Sequence, residues 1–290
     1  MKYLSYILFR ISVFIFSLIP FSLLYIISDI IASVSRRILS YRQSVINKNI
    51  DFCYPNISKN KKKSIINNFY QNFSDIVVES IKGLGTRREV IKERFTLINP
   101  EILQEHYRTK QSIIIYSQHY NNWEWGALTL GMQMSHHVIG IVKKISNPYI
   151  NKYVQDGRTG HNVSVVIMEE VEKLYRSQHD KPVAIIFIAD QMPFRSTKNH
   201  KVDFMHKKVD FHKGAAIYAC AKNYPTYSYD IHRVERGRYK VTLTPIHMNP
   251  KEITPLQLTQ LYVNNLERLI NKSSHSWLWS HKRFKKEINY

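Results

Sequence analysis

The sequence predicts an α/β protein with a mostly parallel central sheet flanked by helices, preceded by an amino-terminal membrane-anchor helix. Three observations carry this. After residue 100, short apolar runs recur at residues 113–117, 138–142, 163–167, 183–189, 226–231 and 239–245, and helical segments at 123–134, 148–158 and 168–179 separate the early ones. Alternating strands and helices are the pattern of a parallel sheet covered on both faces. Residues 58–84 set Ile65, Ile66, Phe69, Phe73, Ile76, Val77 and Ile81 at helical spacing. Residues 11–28 carry no charged side chain.

As one helix, residues 11–28 would run about 27 Å, enough to cross a hydrocarbon core. Arg10 and Asp29 bracket the run, Pro20 predicts a kink, and Tyr3, Tyr6 and Tyr25 suit a membrane interface. A buried core helix is one competing reading. A cleaved signal peptide is another, but the run is long for one and Ala32-Ser-Val-Ser35 is a poor cleavage site. The reading adopted is an anchor, spanning or kinked and half-inserted, with residues 1–45 as anchor and basic neck. Arg36, Arg37, Arg42 and Lys48 after the run favour a cytoplasmic main body over residues 46–290. At the start of the long helix stand Lys59, Lys61, Lys62 and Lys63, where the helix dipole disfavours cations. They serve either to meet anions outside the fold or as a solvated face. Farther on, residues 233–238 read as a hairpin turn joining the last two runs into an antiparallel edge, and residues 255–272 as a closing amphipathic helix.

Forty-two Lys and Arg against twenty-two Asp and Glu give a formal net charge of +20 on 290 residues. Such a surface seeks nucleic acid, anionic lipid headgroups or an acidic protein. The hydrophobic share of 44% is ordinary for a packed core. Two cysteines, Cys53 and Cys220, provide no disulfide framework and fit a reducing compartment. No Cys or His spacing of a zinc site occurs, so no metal is expected.

The richest stretch runs from Ser112 to Gly126. A β-branched run ends in Gln118-His119, and Glu124 follows in what reads as the first turn of a helix capped by Asn121 or Asn122. His119 then sits at the carboxyl end of a strand, where open α/β sheets place ligands. Glu124 is expected to hydrogen-bond the imidazole, fixing its tautomer and raising its basicity, as a general base for a hydroxyl requires. The plainer alternative is a structural histidine at a strand end. Three further elements are candidates. Asp190-Gln191 closes the run 183–189 at the same edge, or is simply a turn. Arg158 could stabilise negative charge on a reacting oxygen, or is a surface residue at a helix end. Lys213-Gly214 opens a helix whose free N–H groups suit an anion, or is a plain helix start. Trp277-Leu-Trp279-Ser-His-Lys-Arg283 suits a membrane interface, nucleic acid, or a packed terminal segment with tryptophan on the core side.

Taken in order, the apolar amino terminus, the basic body, His119-Tyr-Asn-Asn-Trp-Glu124, Arg158, Ile-Ala-Asp190-Gln191, the 211–214 element and the Trp-rich end resemble the bacterial late acyltransferases of lipid A biosynthesis, the lauroyl and myristoyl transferase family. The likeness covers nearly the whole chain. It implies a glycerolipid-acyltransferase-like fold and a His119–Glu124 dyad supported by Arg158 and Asp190. Asn122, Trp123, Gln191, Lys213 and Gly214 become substrate-binding candidates. It also implies acyl carrier protein thioester as donor, a lipid A precursor glycolipid as acceptor, no cofactor, and residues 46–290 as a catalytic domain at the cytoplasmic side of the bacterial inner membrane. Asp190 is expected to hold Arg158 in place. The anionic membrane surface and the acidic carrier protein would both suit Lys143, Lys144, Lys207 and Lys208. The Phe-Pro-Glu-Gly-Thr-Arg-like phosphate block of glycerophosphate acyltransferases is absent, which argues against that acceptor. Two rivals stand beside this reading: an acyltransferase for another membrane lipid, and a membrane-tethered nucleic-acid-binding protein. No recognised nucleic-acid motif supports the second.

Overall fold

A computed structural model of the chain describes residues 1–177, 179–193 and 199–290. In chain order the helices and strands begin with α1 (Lys2–Leu18), α2 (Phe21–Arg37), α3 (Gln43–Cys53), α4 (Lys59–Gly85), α5 (Arg88–Lys92), β1 (Phe95–Leu97), α6 (Gln104–Arg108), β2 (Ile113–Ser117), α7 (Trp123–Thr129) and β3 (His137–Val142). They continue with α8 (Pro148–Arg158), β4 (Val163–Ile167), α9 (Val171–Arg176), β5 (Val183–Ile188), β6 (His200–Phe204), β7 (Lys207–Phe211), α10 (Gly214–Lys222), β8 (Thr226–Glu235), β9 (Arg238–His247) and α11 (Pro255–Lys272).

Seven strands form one sheet in the order β1-β9-β8-β2-β5-β3-β4, parallel except for the β8–β9 hairpin. All six expected runs are strands. The hairpin is not the edge, however: β8 pairs with central β2, and the three-residue β1 lies parallel beside β9. Strands β6 and β7 form a separate antiparallel ribbon. Strand β2 shows why these runs are apolar throughout. Ile114 and Tyr116 enter the core on one face with Tyr262 and Phe211, while Ile113 and Ile115 enter the other with Trp125 and Phe95. A sheet buried on both faces needs apolar side chains at every position. The expected helix 123–134 stops early, at Thr129, and passes into a 3₁₀ turn over Leu130–Met132. Of the expected helix 168–179, only Val171–Arg176 is α-helical, and Gln178 lies outside the described residues.

The amino terminus departs from expectation. Pro20 does more than kink the apolar run. Ile19 turns extended (φ −67°, ψ 127°) and the chain restarts as α2 after Pro20. Proline lacks the N–H of the helix ladder and its ring crowds the carbonyl four residues back, which favours a break there. Among the described residues, no helix is long and apolar enough to cross a membrane. Both helices instead pack on α4. Their outer sides expose Leu4, Leu8, Ile11, Phe14, Ile15 and Leu18 on α1, with Leu23, Ile26 and Ile30 on α2.

Helix α4 starts where Ser58 caps it by accepting from the Lys61 N–H. Besides its apolar face it buries a polar stripe of Asn72, Asp75, Glu79 and Lys82. Asp75 is fully buried between Arg233 (2.6 Å) and Arg236 (2.6 Å). Lys82 donates to the carbonyls of Phe16, Ser17 and Ile19, capping the end of α1. The β8–β9 turn meets the same region at Gly237, which has φ +74° and leaves room for Tyr25. A Cβ there would lie 1.8 Å from the Tyr25 hydroxyl oxygen, so any other residue would strain the turn and displace that ring.

Candidate active site

His119 follows β2 by two residues, and Asp190 follows β5 by two. The strands run parallel in the register Ser117↔Ile188, so the continuing chains bring His119 level with Asp190 at the carboxyl edge of the sheet. The His119 Nδ1 lies 2.7 Å from Asp190 Oδ1, and the His119 backbone N–H donates to Asp190 Oδ2 at 3.0 Å. A carboxylate accepting at Nδ1 puts the proton there and leaves Nε2 with a free lone pair. Among the described residues Nε2 has no hydrogen-bond partner, and the side chain is 19% exposed. The Trp123 ring stands edge-on to the imidazole at 5.0 Å.

Asp190 is itself held firmly. The Trp277 indole N–H donates to Oδ2 at 2.8 Å, and Arg283 Nε donates to the Asp190 carbonyl at 2.7 Å. Burial alone would raise the Asp190 carboxyl. The nearby His119 ring and the hydrogen bonds from His119 and Trp277 outweigh it and bring the carboxyl below its ordinary range. The carboxy-terminal segment also grips the histidine's own backbone: Leu278 N–H donates to the His119 carbonyl, and Asn121 N–H to the Ser276 carbonyl. Trp277 and Trp279 are buried, so this is the packed segment with tryptophan inward. Arg283, buried over the Phe211 ring at 4.3 Å, is pushed down to about 10 by desolvation. His281 stands near the pair and is driven to about 4, chiefly by burial, so it stays neutral at pH 7.

The expected partners are therefore exchanged. No hydrogen bond or ion pair joins Glu124 to His119. Glu124 is the second residue of α7, and it pairs with Arg158 at the end of α8 at 2.5 Å. Asp190 does not touch Arg158. The chain turns at Asn121 (φ +52°) before α7 begins, and that turn separates Glu124 from the ring five residues earlier. Asn122 is the helix cap, accepting from Trp125 N–H at 3.0 Å. It is fully buried and donates to Glu79 at 2.7 Å. Helix α10 does begin at Gly214, but no hydrogen bond ties Lys213 or Gly214 to the His119–Asp190 pair. Gln191 is half-buried beside Asp190. Lys143 and Lys144 are exposed in the loop after β3, at the same sheet edge as His119. Lys207 instead covers the Phe52 ring, and Lys208 pairs with Asp203.

A cavity of about 790 Å³ lies at the opposite, amino-terminal edge of the sheet, lined in part by Lys110, Ser112, Lys181 and Lys222. It holds none of the residues just described. Among the described residues, no three His, Cys, Asp or Glu side chains are grouped to hold a metal ion. Both cysteines are free thiols, and burial pushes Cys53 well above its ordinary value.

A family model described as bacterial lipid A biosynthesis acyltransferase matches residues 1–286. The chain belongs to this family. No curated protein matches it. At the carboxyl edge of its sheet, His119 presents Nε2 with no hydrogen-bond partner among the described residues. The sequence marks the Trp277–Arg283 segment but not its hold on Asp190, and it gives no sign of Glu79, which anchors the cap of α7.

Proposed function

We propose that the chain transfers a fatty acyl group from acyl carrier protein thioester to a hydroxyl of an acyl chain on a lipid A precursor, forming an acyloxyacyl ester. The observation that carries this is the 2.7 Å pair of His119 Nδ1 and Asp190 at the strand edge, with Nε2 unpaired. His119 Nε2 takes the hydroxyl proton as that oxygen attacks the thioester carbonyl carbon. Asp190 holds the tautomer and stabilises the imidazolium. The tetrahedral intermediate collapses with cleavage of the C–S bond, and the imidazolium returns its proton to the departing thiolate. The products are the ester and the free thiol, with no external redox partner or covalent acyl-enzyme required. Arg158, oriented by Glu124, serves the developing oxyanion.

The enzyme works at the cytoplasmic face of the inner membrane. The exposed apolar sides of α1 and α2 support an interfacial seat, with Arg36 and Arg37 at the end of α2 near anionic headgroups. Lys143 and Lys144 stand at the active edge, in reach of an acidic carrier protein. The test is a transfer assay with purified acyl carrier protein thioester and lipid A precursor, read by mass spectrometry. Gain of one acyl chain by the acceptor, lost in His119→Ala, is the expected result. An acceptor left unmodified by the folded wild-type protein, or acylated equally well by His119→Ala, overturns the reading.

A further inference from the structure

One buried carboxylate takes no part in the chemistry above. Glu79 lies in α4, fully buried, and accepts from three separate elements: Tyr25 OH of α2 at 2.8 Å, Tyr239 OH of β9 at 2.8 Å, and Asn122 Nδ2 at 2.7 Å. Its backbone carbonyl accepts from the Trp125 indole at 2.9 Å. One turn farther on, Gly83 lets that indole approach α4 closely, since a Cβ would stand 2.9 Å from its nitrogen.

The consequence passes through Asn122. An asparagine amide has one oxygen and one NH₂ group. With the NH₂ claimed by Glu79, the oxygen is turned toward the Trp125 N–H and caps α7. Glu124 sits in the first turn of that helix and grips Arg158. We propose that Glu79 is a positioning residue for acyl transfer, setting the Asn122 cap and thereby the placement of Glu124 and Arg158. This rests on the role given to Arg158 above. Burial raises the carboxyl to about 7. The donors Tyr239, Tyr25 and Asn122 oppose that rise, and neighbouring Asp75 adds to it. Among the described residues no cation bonds to Glu79 directly, and three donors hold it.

The test exchanges donor and acceptor. Glu79→Leu leaves three buried donors unpaired. Glu79→Gln keeps an oxygen toward Asn122 and Tyr239 and turns its NH₂ to the Tyr25 hydroxyl, which can accept. Asn122→Asp sets two carboxyl groups against each other, and the double variant Glu79→Gln/Asn122→Asp restores one donor and one acceptor. The full chain is assayed for acyl transfer, and hydrogen exchange is followed in the peptide covering residues 123–129. We expect Glu79→Leu to lower kcat on the order of a hundredfold, with KM for the donor little changed. Exchange in the 123–129 peptide should rise about tenfold in that variant. Glu79→Gln should stay within a few-fold of wild type on both measures. The double variant should recover at least tenfold over Asn122→Asp alone. Wild-type turnover and exchange in Glu79→Leu overturn the proposal, as does a double variant no better than Asn122→Asp. If Glu79→Leu does not fold, the exchange pair still decides. A wild-type chain without transferase activity defeats the functional reading instead, and the hydrogen-exchange arm then judges the cap by itself.

Discussion

His119 and Asp190 meet because Ser117 and Ile188 are register partners in parallel strands, and each lies two positions beyond its own strand's register residue. The pair is thus set by strand register, while Glu124 and Arg158 meet between helices α7 and α8.

Replacing His119 by alanine should abolish acyl transfer, a loss of about 10²-fold or more for a general base. The side chain makes one hydrogen bond and is partly exposed. The fold should therefore lose no more than about 3 kcal/mol. Turnover and a urea melt of the same preparation check both halves.

Asp190→Asn should cost more than its near-identical shape suggests. An amide NH₂ facing Nδ1 would favour the wrong tautomer, and comparable changes in hydrolytic triads cost about 10⁴-fold. The same variant should change acid stability. The folded Asp190 carboxyl lies below its unfolded value, so its contribution is present above about pH 3.9 and is lost as pH falls through the folded value. Urea midpoints taken across the acid range should fall less steeply for Asp190→Asn than for wild type.

Glu124→Ala should slow transfer on the order of a hundredfold, and Arg158→Lys should not rescue Arg158→Ala fully, because lysine lacks the planar fork that meets a carboxylate. Steady-state kinetics on the three variants reads this. Full activity in Arg158→Ala would remove the cation from the mechanism.

Glu79 gives a stability change of opposite sign. Its folded value of about 7 lies above the ordinary one. Its contribution is fully present below about pH 4.3 and is lost as pH rises through the folded value, a swing on the order of 3 kcal/mol. Glu79→Gln should flatten that part of the stability–pH curve, measured by denaturant melts between about pH 4 and 8.

The double change Leu8→Asp/Ile15→Asp should lower binding to anionic vesicles about a hundredfold while leaving the melting temperature near wild type. Both side chains are exposed on α1, and burying each in lipid is worth roughly 1.5–3 kcal/mol. Co-sedimentation at two salt concentrations measures it. Unchanged binding would assign the membrane seat elsewhere.

The strands of the main sheet were legible because a run buried on both faces leaves a plain apolar signature, as in Ile113–Ser117. Strand β1 was missed because three residues carry no period, and the β6–β7 ribbon because His200–Phe204 and Lys207–Phe211 mix charge with apolar residues. His119, Glu124, Arg158 and Asp190 stood out in the sequence as candidates, but which of them pair did not. Spacing within a segment relates His119 to Glu124, whereas their true partners are set by strand register and helix packing across the chain. The polar stripe of α4 went unread for a related reason. Asp75 and Glu79 look like a solvated helix face until the tyrosines and arginines of distant segments close over them.

The strap formed by Trp277, Leu278 and Arg283 carries a lesson for biogenesis. A growing polypeptide on the ribosome can lay down every strand of the sheet and still lack the indole and guanidinium that steady Asp190. Synthesis must run through residue 283 before Asp190 has all of its partners, so the His119–Asp190 pair is completed only after every strand of the sheet has been made.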